Sequence, residues 1–312
     1  MKRPVVLLAA LTAASALALA GCASTPAPSS SPDASGDGTI SVVASTNVYG
    51  DIAKTIGGDH VDVTSLIADE SKDPHDFEAT ASDQLDIQGA QLLIQNGGGY
   101  DPFMASLKDA ANSSAPLISA VTFSPEWKGS DPSEAVEGFN EHVFYDPQTI
   151  AAVADEIAKQ LGSLDPADAA VFTDNAATFR ADIDAKVTPI LSAVSAAHTG
   201  AEIFVTEPVP LYLAEAAGLK NVTPSAFSEA VEEGQDVPPA TLLDALTLIG
   251  SGSVKIVFVN AQAAGAETTQ VEAKASEVKV PVIKASELLP EGENYVSWMT
   301  DMATQIKTAL GS

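Results

Sequence analysis

Short runs of β-branched and apolar residues alternate along this chain with stretches of helical character, and that alternation restricts the fold more than any other feature. Candidate strands lie at Ile40-Ser41-Val42-Val43-Ala44, from Val61 to Ile67, from Gln91 to Gln95, from Ile203 to Val205, from Val254 to Val259 and from Val280 to Ile283. A strand, a helix and a further strand make a βαβ unit, and repeated units build largely parallel sheets covered by helices. The expected class is α/β. Pro281 has no N–H to donate, so the last run reads as an edge strand or one that begins after the proline. Asn96-Gly97-Gly98-Gly99 lacks the Lys-Ser/Thr of a phosphate loop and reads as a tight strand-to-helix turn.

Between the two groups of strands lies a long helical region. Asp165-Pro166 is read as its cap and first turn, and it runs to about Ala197, with Pro189 bending it or marking its late part. Two ordinary helices and one rigid strut both fit this pattern. A shorter helix, QTIAAVADEIAKQL, has Asp146 and Pro147 as its cap and first turn.

Lys plus Arg number 15 against 42 Asp plus Glu, a net charge of -27. Nucleic-acid binding needs a basic face and is excluded. The acidity mainly serves solubility. At the N-terminus Lys2 and Arg3 precede an apolar run too short to span a membrane comfortably, and Leu19-Ala20-Gly21-Cys22 follows. This resembles a bacterial lipobox, in which the cysteine is lipidated. The expected localisation is extracytoplasmic, lipid-anchored to the outer face of the cell membrane through Cys22. Cys22 is the one cysteine, so no internal disulfide and no thiolate ligand is expected. The Ser-, Pro- and Gly-rich segment that follows reads as a flexible tether.

Four histidines are present. His60 sits in a turn leading into a strand and His198 at the expected end of the long helical region, and both read as surface residues. His75 lies in a polar loop after the second strand, and His142 precedes the Asp146-Pro147 helix start. Glu207 closes a strand and Glu287 follows the last one. Ligands of open α/β sheets bind at the carboxyl ends of strands. Two imidazoles and two carboxylates there would suit a divalent metal. Solvated loop carboxylates at Glu207 and Glu287 fit the pattern as well.

The motifs, taken in order, resemble the zinc- and manganese-binding lipoproteins of ABC transporters, the TroA-like or ZnuA-like group. They are Val43-Ala44-Ser45-Thr46-Asn47, Asp73-Pro74-His75-Asp76-Phe77-Glu78, Asn96-Gly97-Gly98-Gly99-Tyr100-Asp101 and His142-Val143-Phe144-Tyr145-Asp146-Pro147, within a resemblance running from about Ile40 to Leu310. The resemblance implies two lobes with mostly parallel sheets, joined by a long rigid helix, with a metal cleft between them. It implies His75, His142, Glu207 and Glu287 as metal ligands, and Asn47, Asn260 and Gln262 as residues that orient them. Many family members carry histidine where Glu207 stands and aspartate where Glu287 stands. The expected organisation is a lipoprotein signal peptide at 1–21, a tether at 22–38, an N-terminal lobe at 39–165, a linking helix at 166–197 and a C-terminal lobe at 198–312.

The function so implied is capture of Mn2+ or Zn2+ as cargo and delivery to an ABC transporter permease, by a monomer that is not an enzyme. Oxygen donors favour manganese, and the acidic stretch from Pro125 to Asn140 lacks the histidines of several zinc-specific relatives. Two other readings compete. A metallohydrolase needs an open metal position and a general base, and no HExxH-like pair is present. A binder of a chelated metal or siderophore wants aromatic or Arg-rich walls, and aromatics are 5% of the chain.

Overall fold

The computed structural model describes residues 38–311 apart from 71, 76 and 264. The expected signal peptide, Cys22 and all of the tether except Gly38 lie outside the described residues. From the first strand the chain runs β1 (Ile40–Thr46), α1 (Asn47–Gly57), β2 (Val61–Ile67), α2 (Ala81–Gly89), β3 (Leu92–Gln95), α3 (Phe103–Ala110) and β4 (Leu117–Ser119). Three helices follow: α4 (Pro147–Leu164), α5 (Ala169–Lys186) and α6 (Thr188–His198). The second half runs β5 (Glu202–Val205), α7 (Leu211–Ala216), β6 (Lys220–Asn221), α8 (Ser225–Glu232), α9 (Pro239–Gly250), β7 (Val254–Asn260), α10 (Ala266–Val278), β8 (Val282–Ala285) and α11 (Tyr295–Ala309).

The strands form two four-stranded sheets, ordered β2-β1-β3-β4 and β6-β5-β7-β8. Every pairing is parallel, as the alternation of strands and helices requires. The two orders are the same. The second sheet therefore repeats the topology of the first, although no sequence repeat announces it. In each sheet the chain builds outward from its first strand and then returns to the other side. That reversal leaves a crevice at the carboxyl ends, between β1 and β3 in one sheet and between β5 and β7 in the other. β8 begins at Val282, just after Pro281, and is an edge strand.

Period-2 alternation explains how each sheet is covered on both faces. Ile203 and Val205 of β5 and Ile256 and Phe258 of β7 pack into the main core, whereas Phe204, Val257 and Val259 face a second cluster with Phe227 and Val271. In β1, Val42 and Ala44 join the main core while Val43 turns to a third cluster with Ile87 and Met104. The main core is continuous from Ile40 in the first sheet to Ile306 in the last helix.

The helical region between the sheets is divided. Asp165 closes α4, and its Oδ1 accepts from the Ala167 N–H at 3.1 Å, so α5 begins three residues after Pro166. α5 and α6 meet at Val187, whose φ of -92 and ψ of -56 stay in the helical region. Pro189 lacks the N–H that would continue the ladder, which is why the helix is interrupted there. α5 packs on α1 and α4 beside the first sheet, and α6 on α7 and α11 beside the second.

Candidate metal centre

Each side chain of interest is delivered by a strand end or by the loop beyond it. His75 lies in the loop after β2, where its backbone N–H donates to Asp73 Oδ1 at 2.9 Å. His142 ends the long loop after β4, one residue before the helical turn Val143–Tyr145. Its backbone N–H donates to Asn140 Oδ1 at 3.1 Å, and its Nδ1 meets the same oxygen at 2.8 Å. Asn140 is itself tied to the second half of the chain, donating to the Pro208 carbonyl at 3.1 Å and accepting from the Tyr212 hydroxyl at 2.7 Å. An amide oxygen can only accept, so Nδ1 of His142 carries the proton and Nε2 keeps its lone pair.

Glu207 follows β5 after one residue, Thr206, whose N–H extends the ladder to the Phe258 carbonyl at 2.9 Å. Glu287 follows β8, and its N–H donates to Gln262 Oε1 at 3.0 Å. Glu207 is 4% exposed, and His142 and Glu287 are wholly buried. The Nε2 atoms of His75 and His142 stand 3.8 and 3.9 Å from Glu287 Oε2. Single ligand atoms of His75, His142 and Glu287 lie within 4.8 Å of one another; Glu207 is not in that set. Asn260, the last residue of β7, connects it: its Nδ2 donates to Glu207 Oε2 and to Glu287 Oε1, each at 2.7 Å. Five buried atoms are left without a partner here, namely Nε2 of His75, Nε2 of His142, Oε1 of Glu207, Oε2 of Glu287 and Oε1 of Glu232 at the end of α8. A buried polar atom without a partner costs about 1–3 kcal/mol, so such atoms gathered around Glu287 suit an electrophile as their common partner.

The electrostatics agree. Burial, reinforced by the charge of Asp73 and opposed by Asn260, pushes Glu287 up to about 8. Burial likewise pushes Glu207 up to about 7. Burial holds the His142 imidazole well below its usual range, with His75 adding to the effect. Glu207, Glu287 and His142 thus resist ionisation. Two neutral imidazoles and two carboxylates would cancel the charge of one divalent cation, which removes the cost of burying that charge alone.

The three residues expected to orient the ligands do different things. Asn260 reaches both carboxylates. Gln262 accepts from the Glu287 N–H and donates to Ser286 Oγ at 3.0 Å, so it holds the segment that carries Glu287. Asn47 touches no ligand side chain. It brackets the backbone of Leu289, donating to the carbonyl at 2.8 Å and accepting from the N–H at 2.9 Å.

Other contributors were missed in the sequence. Tyr145 Oη donates to the Ser286 carbonyl at 2.9 Å and accepts from the Ser286 N–H at 3.1 Å. Glu141 lies 4.0 Å from His75 Nε2 and forms, with His142 and Glu232, a second group of close ligand atoms. Burial and four neighbouring carboxylates, Glu141 foremost, push Glu232 up to about 9. A cavity of about 1090 Å³ opens beside His75, and its described lining includes Asp73, Glu141, Glu232, Asp236 and Glu267 but no Lys or Arg. The signal for Glu141 was its adjacency to His142; Glu232 sits in an acidic helix end with no distinguishing spacing. His60 pairs instead with Asp168 at 3.1 Å, and His198 is the last residue of α6.

Fold and site together define a class: an α/β protein of two parallel sheets that brings His75, His142 and Glu287 together, with Glu207 joined to them through Asn260. The sequence matches the zinc-uptake complex component A periplasmic (ZnuA) family model over residues 42–309, and the chain belongs to that family. The family description is that of an uptake component, not of an enzyme. The iron-binding protein YfeA of Yersinia pestis is 27% identical over 222 residues, 70% of this chain and 68% of that protein. The manganese ABC transporter substrate-binding lipoprotein PsaA of Streptococcus pneumoniae serotype 4 is 23% identical over 305 residues, 91% of this chain and 92% of that protein. The structure of the Mn-bound periplasmic metal binding protein from candidatus Liberibacter asiaticus superposes with a TM-score of 0.69 at 22% identity, covering 87% of this chain and 100% of that one. This last similarity bears on the fold alone.

Proposed function

We propose that the protein captures a divalent transition metal outside the cytoplasmic membrane, bound by His75, His142, Glu207 and Glu287, and hands it to the permease of an ABC importer. One observation carries the reading: Nε2 of His75 and Nε2 of His142, 3.8 and 3.9 Å from Glu287 Oε2, are buried without partners, as is that oxygen itself. The substrate-binding lipoproteins among its relatives support delivery to a permease. In the same reading residues 1–21 are a signal peptide, Cys22 carries the lipid anchor, residues 22–38 are the tether and 166–197 link the lobes at 39–165 and 198–312.

Manganese is the favoured cargo and zinc the next. Two carboxylate oxygens harden the donor set relative to one built of imidazoles, which suits manganese. Zinc accepts the same donors and binds most N/O sites more tightly, so a tight zinc complex in vitro is expected as well.

The test is elemental analysis and titration of the purified protein with manganese and zinc. One equivalent of metal, lost in His75→Ala and in Glu207→Ala, is expected. Absence of stoichiometric metal from every preparation would remove this reading.

A further inference from the structure

We propose that Asn260 holds the protein's own donors to the captured ion at four, by engaging one oxygen of each ligating carboxylate; this rests on the metal-site reading above. The argument begins with the orientation of the amide. Asn260 is almost wholly buried at the end of β7, and its backbone N–H is pinned to Thr206 Oγ1 at 3.1 Å. The Gln262 N–H donates to Asn260 Oδ1 at 3.0 Å. A backbone N–H needs an acceptor, so the amide oxygen must face Gln262 and the NH2 group must face the cleft.

That NH2 has two hydrogens and meets two carboxylates, Glu207 Oε2 and Glu287 Oε1, both at 2.7 Å. Hydrogen bonds to a carboxylate are of the strong, charge-assisted kind. The amide is therefore saturated, and one oxygen of each carboxylate is spent on it. What remains is Oε1 of Glu207 and Oε2 of Glu287, both without a partner. Each bonded oxygen keeps a second lone pair, but the amide holds it away from the cleft, so a carboxylate held in this way favours binding a metal through its other oxygen alone. With one nitrogen from each imidazole, the protein supplies two nitrogens and two oxygens.

The chemical consequence is a matter of ion preference. Zinc is satisfied by four such ligands. Manganese belongs with the ions that favour six oxygen-type ligands, and it gains more than zinc when a carboxylate becomes bidentate. Asn260 is thus a positioning residue that restrains the site at low coordination and holds down the manganese-to-zinc affinity ratio.

Cobalt(II) tests this directly, because its visible absorption is strong in four-coordinate and weak in six-coordinate complexes. The purified protein is to be loaded with cobalt and compared with Asn260→Ala, Asn260→Ser and His142→Ala. Strong four-coordinate absorption is expected in the unmodified protein and weaker, higher-coordinate absorption in both Asn260 variants. Both should also show a manganese-to-zinc affinity ratio raised on the order of tenfold. If the alanine variant does not fold, the serine variant decides. A four-coordinate spectrum unchanged in the variants, or a six-coordinate spectrum in the unmodified protein, would overturn the proposal. Cobalt binding that survives His142→Ala, or no cobalt binding at all, would instead overturn the metal-site reading beneath it.

Discussion

The imidazole of His142 is aimed by Asn140: Nδ1 lies 2.8 Å from the Asn140 side-chain oxygen, which leaves Nε2 free to face Glu287. Asn140 stands two residues before His142 and is bonded to Pro208 and Tyr212, just beyond Glu207. Asn140→Ala should therefore weaken metal binding on the order of tenfold without abolishing it, because the nitrogen remains but its tautomer and direction are no longer held. Calorimetric titration with zinc and manganese measures this, and an unchanged affinity for both would show that Asn140 does not orient the ligand.

The raised carboxylates set a pH dependence. An unfolded glutamate ionises near 4.3, while Glu207 is pushed up to about 7 and Glu287 to about 8 by burial. Groups raised in the folded state contribute stability that is fully present below the unfolded value and is lost as pH climbs through the folded one. The metal-free protein should lose Tm progressively from about pH 5 to about pH 8, between the unfolded and the folded values of these two groups. The metal-loaded protein should not, since the cation replaces the protons. Thermal scans of both forms across that range decide it; a gap between them that fails to widen with pH would count against the assignment.

Glu287→Gln separates function from stability. The amide keeps the shape and still accepts from Asn260, and its NH2 can donate toward the imidazole nitrogens that now lack partners. Metal binding should be lost. The metal-free variant should be more stable than the parent by about 1 kcal/mol at pH 8, roughly 2–4 °C in Tm for a chain of this class. Parallel metal titration and thermal scans check both halves of the expectation.

Tyr145 locks the Glu287 segment to the His142 segment. Its hydroxyl satisfies both the N–H and the carbonyl of Ser286. Tyr145→Phe leaves those two groups without their partner and should cost about 1–3 kcal/mol, with a loss of metal affinity because Glu287 is the next residue. Unfolding in denaturant read beside a metal titration will show whether the two losses occur together.

The continuous core from Ile40 to Ile306 limits how far the two sheets can move apart. Addition of manganese should change the radius of gyration very little, and small-angle scattering of the metal-free and loaded protein measures it. A large compaction on loading would contradict this.

Local chemistry made much of this protein readable in advance. The parallel α/β class followed from strands that alternate with helices, because parallel strands need crossovers and the crossovers are written as helical stretches. The start of α4 was legible in Asp146-Pro147, and the late start of β8 in Pro281, because capping and a missing N–H act within a few residues. His75, His142, Glu207 and Glu287 could be nominated because strand ends and motif order mark them. Only the tertiary structure decided what those side chains do together. It showed that both sheets share one strand order, so that the end of β7 lies beside the end of β5 and Asn260 falls between Glu207 and Glu287. It brought Glu141 and Glu232 to the same cleft from positions 91 residues apart, with nothing in their spacing to say so. It also set Asn47 on the Leu289 backbone and not on a ligand side chain. The physical reason is range. Propensity, capping and strand pattern are properties of neighbours in the chain, whereas burial, proton affinity and the sharing of a carboxylate depend on which distant segments the core forces into contact.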